Sequence, residues 1–353
     1  MLNAYLDQFV VGNLAQNYAS SATAGGRGNV IFNAGSIDAN TIAIGQSVSG
    51  VSTGTAIGTF TMNGGTLNVN TAFTIANRVT DGALVTGTVA FVGGTATVNA
   101  NLADGGGYST LTLDGGTLNM QNHAIGSSAN PIDVLNLQSG TLMNVTEING
   151  GAGLTKTTAG TLVLDGTNTY TGNTLIQAGT LAVNGYLPNS PVTAQTGGTL
   201  AGTGFIAGNV AIANGGTLSP GNSVGTLTVG DLTLTNGVQL AFELGAPGAS
   251  DLVIVTNALS FTGMETNWFV LSAVSGFGVG TYTLVDALSY GSSTLGSGTN
   301  FTNIGNSGLD GYLWLDSDNQ DVKLTVVPEP SAGALVGMGL LALLALRRWR
   351  RQN

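Results

Sequence analysis

The sequence predicts an all-β chain: a parallel β-helix solenoid, a β-rich terminal module after it, and a C-terminal transmembrane helix. Three observations predict this order. A Gly-Thr phrase recurs about every 20 residues, period-two alternation follows each occurrence, and a charge-free apolar run precedes terminal arginines. The expected divisions are an N-terminal segment (1–29), a repeat rod (30–235), a terminal module (236–326) and a C-terminal tail (327–353).

Composition narrows the function classes. The 353 residues include 56 Gly and no Cys, and only 7% are charged, against about 25% in a typical soluble domain. Without Cys there is no disulfide framework and no thiolate metal site. Four of the eight Lys and Arg fall in the last seven residues, so residues 1–346 hold four basic against 18 acidic groups, a net −14. A duplex-binding protein needs a clustered basic face, and nucleic acid is excluded as a partner. The hydrophobic fraction of 42% argues against plain disorder, and Gly without a three-residue period, beside only 7 Pro, is not collagenous.

In the N-terminal segment, Met1-Leu2-Asn3-Ala4-Tyr5-Leu6-Asp7 lacks the basic and apolar regions of an export leader, and the first basic residue is Arg27. The expectation is a reading frame truncated at its start, with a signal peptide and earlier coils lost.

The rod rests on its landmarks. The glycine before threonine recurs as Gly65, Gly94, Gly116, Gly140, Gly160, Gly179, Gly198 and Gly216, at intervals of 29, 22, 24, 20, 19, 19 and 18. Each opens an alternating run such as Leu67-Asn68-Val69 or Leu162-Val163-Leu164, the period of a strand with one buried face. Asn-Gly pairs at Asn63, Asn149, Asn184, Asn214 and Asn236 mark turns. Stacking such coils about 4.8 Å apart gives about ten coils and a rod roughly 50 Å long, with Leu on Leu inside and Thr or Asn outside.

Candidate chemistry in the rod is thin. Gly150-Gly151-Ala152-Gly153-Leu154-Thr155-Lys156-Thr157 resembles a phosphate loop, but Thr155 replaces the second Gly and a strand follows where a helix must. Asp81, Asp104, Asp114, Asp133 and Asp165 share no phase of the repeat, so no carboxylate ladder for glycoside or lyase chemistry is expected. The bases are Arg27, Arg78 and Lys156, and His123 is alone.

One unit is well formed. It runs Gly151-Ala152-Gly153-Leu154-Thr155-Lys156, continues Gly160-Thr161-Leu162-Val163-Leu164, then Asn168-Thr169-Tyr170-Thr171-Gly172, and ends Gly179-Thr180-Leu181. It resembles the autotransporter-associated β-strand repeat, departing at Thr158, where that family has Gly. The passage Leu218-Ser219-Pro220-Gly221-Asn222-Ser223-Val224-Gly225-Thr226-Leu227 resembles the segment that follows such rods. The resemblance implies a right-handed, passenger-type β-helix exposed outside a Gram-negative cell.

The terminal module lacks the 20-residue period. Strands are expected near 251–255, 269–271, 282–285 and 311–315, with Trp268 and Trp314 in a cap over the open end. Its loop Asp316-Ser317-Asp318-Asn319-Gln320-Asp321 is a weak cation candidate through Asp316, Asp318 and Asp321. It lacks the Gly and Glu of an EF-hand and reads more simply as a polar hairpin.

The tail opens Val327-Pro328-Glu329-Pro330 and continues through residues 332–346, including Ala332, Leu335, Leu340 and Leu346, without a charge. As helix, the 17 uncharged residues 330–346 span about 25 Å at ~1.5 Å each. Arg347, Arg348, Arg350 and Arg351 follow and place that end in the cytoplasm. Pro-Glu-Pro, one apolar helix and an Arg cluster, in that order, resemble the PEP-CTERM sorting signal. The resemblance implies an exosortase-type membrane protease as partner, cleavage near Pro328-Glu329-Pro330, and inner-membrane anchoring before transfer to the surface or outside.

The function expected is an exported, exosortase-sorted cell-surface or extracellular-matrix protein with a structural or adhesive role, and exopolysaccharide is the candidate ligand. Neither catalysis nor a cofactor is expected. The alternatives are a polysaccharide-degrading β-helix lyase or hydrolase, and a passive surface spacer.

Overall fold

A computed structural model describes residues 2–15, 25–48, 50, 53–79 and 82–328. Apart from the single turns Thr266–Trp268 and Ile304–Asn306, the regular elements among these residues are all strands. They lie in two large sheets of 16 and 13 strands and one of two, and pairing is parallel until the last strands.

Three strand runs per coil generate the sheets. One coil is Gly179–Val183, Tyr186–Leu187 and Val192–Ala194; the next is Gly198–Gly202, Phe205–Ile206 and Val210–Ile212; the next is Thr217–Pro220, Thr226–Val229 and Leu232–Leu234. Each run pairs with its counterpart one coil on. Leu181, Leu200, Leu218, Leu240 and Phe269 thus stand in one inward row, and Val192, Val210 and Leu232 in another. All eight are buried. The alternation read in the sequence has its physical basis here: even steps fill the core and odd steps meet water.

The face opened by the Gly-Thr phrase carries twelve strands in sequence order, from Leu2–Leu14 to Phe269–Ala273. Eleven spacings of ~4.8 Å make about 53 Å. Coil length is not constant. Leu2 pairs with Gly35, Ser36 with Thr66, Thr66 with Thr95 and Thr95 with Thr117, so the coils shorten from 33 to 22 residues. The early coils are long because their strands are long, Gly35–Ser47 and Thr66–Arg78 against Gly179–Val183.

At one step the landmarks and the ladder disagree. Leu142 pairs with Leu164, although the phrase would align it with Leu162. The slip is two residues. A slip of one would turn the strand inside out, whereas two preserves which side chains point inward, and Leu142, Leu162 and Leu164 are all buried.

The Asn-Gly pairs serve different ends. Asn149 and Gly150 both take positive φ (46° and 62°), a tight reversal. At Gly185 the constraint is room: a Cβ there would lie 1.9 Å from the carbonyl oxygen of Gly166 on the preceding coil.

The parallel ladder crosses residue 236 through Gln239–Leu244, Leu252–Ser260, Phe269–Ala273 and Gly280–Ser289. The direction then reverses. Asp321–Pro328 runs antiparallel to Gly280–Ser289 on one side and to Leu309–Asp316 on the other, and that hairpin covers an edge that would otherwise offer unpaired backbone groups. Trp268 is buried, and the Trp314 indole N–H donates to Thr325 Oγ1 at 3.0 Å. No helix among the described residues is long and apolar enough to cross a membrane.

Candidate functional site

Lys156, Asn168 and Tyr170 of the best-formed repeat point inward. Asn168 is buried, accepts the Val145 N–H at 3.1 Å from the preceding coil, and donates to the Asp165 carbonyl at 2.9 Å. Tyr170 is wholly buried, and its hydroxyl joins a chain through Thr174 Oγ1 (2.7 Å), Ser190 Oγ (2.8 Å) and the Gly172 carbonyl (2.6 Å). Burial drives the Tyr170 pKa upward, so the phenol keeps its proton and can donate. Lys156 is also buried, with its ammonium on the Thr158 carbonyl and on Thr158 Oγ1 at 2.9 Å. Desolvation lowers its pKa, opposed by the charge of Asp114. Asn168 and the Tyr170–Thr174–Ser190 chain tie coil to coil, while Lys156 bonds within its own coil to Thr158, whose hydroxyl donates to the Gln138 carbonyl of the preceding coil at 3.1 Å.

The outside is built from rows of small polar groups. Thr161, Thr180, Thr199 and Thr217 are successive partners on the landmark face. Nearer the first coils, Asp38, Asn68, Thr97 and Asn119 form a second row. A cup of about 330 Å³ lies there, with Asn70, Asn99 and Gln121 on its wall. Side-chain amides bridge coils: Asn63 donates to Asn33 Oδ1 at 2.8 Å, Asn70 to Asp38 Oδ1 at 2.8 Å and Asn144 to Asn119 Oδ1 at 2.9 Å. Asn70 donates to a second acceptor as well, Asn40 Oδ1 at 3.4 Å.

A trench of about 270 Å³ follows the threonine row past Ala182, Ala201 and Ser219 to Glu243 and Asp251. Asp251 is 2% exposed, and its oxygens accept the N–H of Gly225 at 2.8 Å and of Glu243 at 2.7 Å. Desolvation pushes its pKa up to about 6, against the pull of those two bonds. It therefore pins the Gly221–Gly225 loop to the next coil. The sequence offered no signal for this beyond the Pro-Gly-Asn-Ser phrase, because Asp251 lies outside the 20-residue phase.

The other candidates stand apart. His123 Nδ1 lies 3.1 Å from the Met120 carbonyl oxygen, a local contact. The phosphate-loop look-alike leads into the strand Leu154–Lys156 and then Thr161–Asp165. Asp81 lies outside the described residues. Asp316 and Asp321 face each other across the hairpin, with the Lys323 ammonium on both, at 3.2 Å from Asp321. Asp318 instead donates its N–H to Asp316. Lys323 holds the Asp316 pKa down to about 2, and the position between the two carboxylates belongs to an ammonium. Among the described residues no group of three His, Cys, Asp or Glu could hold a metal ion.

Of the tail, Val327 and Pro328 end the last strand, opposite Asp310 and Leu309. Glu329, Pro330, the apolar run with Ala332, Leu335, Leu340 and Leu346, and the cluster Arg347, Arg348, Arg350 and Arg351 lie outside the described residues.

Two family models match the chain. The passenger-associated-transport-repeat matches residues 154–183, the stretch holding Lys156, Asn168 and Tyr170. The PEP-CTERM protein-sorting motif matches residues 326–351. No curated protein matches the chain. The sorting motif implies export, a C-terminal membrane anchor before processing, and processing by an exosortase, a membrane protease.

Proposed function

We propose that this chain, which carries a passenger-associated-transport-repeat and a PEP-CTERM sorting motif, is a structural or adhesive surface protein whose right-handed β-helical rod associates with exopolysaccharide. The observation that carries the reading is the exterior: rows of Thr hydroxyls and Asn amides in coil-to-coil register. A single hydroxyl or amide binds a sugar weakly, but a regular row repeats the contact, and many weak sites on one rigid body give avidity. Low charge lets the rod lie among crowded glycans.

In this reading the reversed strands after residue 280 cap the solenoid. On the same proposal the uncharged run 332–346 anchors the chain in the inner membrane, and the four arginines hold its end in the cytoplasm until exosortase cuts near Pro328-Glu329-Pro330. The protein then passes to the cell surface or the matrix. The test is intact mass of the protein from its host, with surface protease accessibility in parallel and a pulldown on host exopolysaccharide. Loss of the tail from an accessible, retained product is the expected result. An intact tail in the inner membrane, or no retention on the polymer, counts against it.

A second reading, a polysaccharide-cleaving enzyme, draws on Glu243 and Asp251 at the end of the trench. Against it, both Asp251 oxygens already hold backbone N–H groups in a buried position. Release of reducing ends from host polymer, abolished in Glu243→Gln, would favour the enzyme; we propose that none is released.

A further inference from the structure

One cleft on the rod differs in character from the Thr and Asn rows. It holds about 410 Å³, within the range of ligand pockets, and its lining includes Arg27, Ile57, Arg78, Leu84, Thr86 and Tyr108. Arg27 pairs with Ile57, Ile57 with Thr86 and Thr86 with Tyr108. The four stand in one row along the rod, about 14 Å from end to end at ~4.8 Å per coil. Arg78 ends the strand Thr66–Arg78, and its backbone N–H donates to the Gly105 carbonyl at 2.9 Å, close to Tyr108 in the chain.

The charges are placed unevenly. Four cations occur among the described residues. Lys156 is buried, and Lys323 is held by Asp316 and Asp321. Arg27 and Arg78 are exposed, and no carboxylate among the described residues pairs with either or lines the cleft. Both cations left without a carboxylate partner among the described residues thus open onto one cavity. Beside them Tyr108 is 55% and Leu84 62% exposed, an aromatic and an aliphatic surface that the core does not use.

Guanidinium groups match carboxylates in a planar, two-pronged geometry. An exposed ring beside them can stack on the C–H face of a sugar. Within the ~8 Å over which salt leaves charge unscreened, the negative body works against any polyanion, so a ligand needs an apolar ring face for Tyr108 as well as carboxylates for the arginines. We propose that this cleft binds carboxylated sugar units of an acidic polysaccharide, with Arg27 and Arg78 taking carboxylates and Tyr108 a ring. The length of the row fits a short stretch of polymer better than one sugar. The inference rests on the matrix reading only for where the ligand is met.

The test measures binding of the full chain to a galacturonic-acid oligomer, a neutral glucose oligomer of equal length, and inorganic phosphate. The acidic oligomer should bind, more weakly as salt rises, with the neutral one and phosphate each at least about tenfold weaker. Arg27→Gln with Arg78→Gln should cost about tenfold or more, as expected for lost charged hydrogen bonds. Tyr108→Ala should cost about fivefold, within the range of ring contacts. All three side chains are exposed, so the thermal midpoint should hold; the salt dependence of the unmodified chain tests the idea without any variant. Equal binding of the neutral oligomer, affinity indifferent to salt or to the arginine pair, or phosphate binding as well as the oligomer overturns the proposal. Failure here beside a tail-less surface product would remove the cleft and leave the surface reading. Binding by a protein confined to the inner membrane would do the reverse.

Discussion

At Asp251 one carboxylate joins the Gly225 loop to the Glu243 strand, and it does so with little water. Its pKa lies near 6 when folded and near 3.8 otherwise, because burial disfavours the charge. The folded chain therefore holds this proton more tightly, and the contribution to stability is complete below about pH 4 and lost as pH rises through about 6. Asp251→Asn should flatten that part of the profile in urea midpoints taken from pH 4 to 7; an unchanged slope would refute the assignment. Asp316 shows the opposite sign. Lys323 depresses its pKa to about 2, so its contribution is present above about pH 4 and fades as pH falls through 2. In Lys323→Met the Asp316 carboxyl should titrate back toward the ordinary value near 3.9, followed by carbon-detected NMR. Tyr170→Phe should cost about 1–3 kcal/mol in chemical denaturation, because Thr174 and Ser190 lose a buried partner. None of these three roles was legible in sequence: an Asp out of phase, a Lys beside a polar loop and a Tyr in a Thr-rich run look like surface residues.

Strands were legible wherever the glycine landmark precedes an alternating run. Gly179–Val183, Gly198–Gly202 and Thr217–Pro220 begin at or just after their landmarks. The earliest coils were harder, because strands such as Thr66–Arg78 turn a corner without a Gly or Pro to mark it. The step between Leu142 and Leu164 was invisible, since a two-residue slip preserves the alternation that sequence reasoning follows. The cleft was invisible for a related reason: Arg27 and Arg78 meet only because coils of about 30 residues stack. At this scale Leu200→Ala, which removes a side chain held between Leu181 and Leu218, should cost about 2–5 kcal/mol in urea unfolding. A one-residue insertion before Leu200 should be far worse than a two-residue one, because only the single residue exchanges inside for outside.

Across the whole molecule, each coil touches mainly its neighbours, so stability should accumulate coil by coil. Hydrogen exchange on Leu200→Ala should show protection lost around residues 179–220 and kept in Thr66–Arg78; uniform loss would mean the rod unfolds as one body. The composition and repeats already indicated an elongated β chain, and the tail already indicated sorting. The place of the proposed sugar cleft was not readable, because it depends on side chains that meet only through stacking.

The final strand also sets how the molecule carries load. Asp321–Pro328 is hydrogen-bonded along both edges, and the sorting segment leaves from its end. A pull along that strand would load both rows of bonds sideways and together, where a pull across it would open one bond at a time. The Trp314–Thr325 bond and the Lys323 bridge to Asp316 and Asp321 add side-chain stops to the same hairpin. Against a load in that direction, the end of the rod next to the sorting segment is held by two ladders at once.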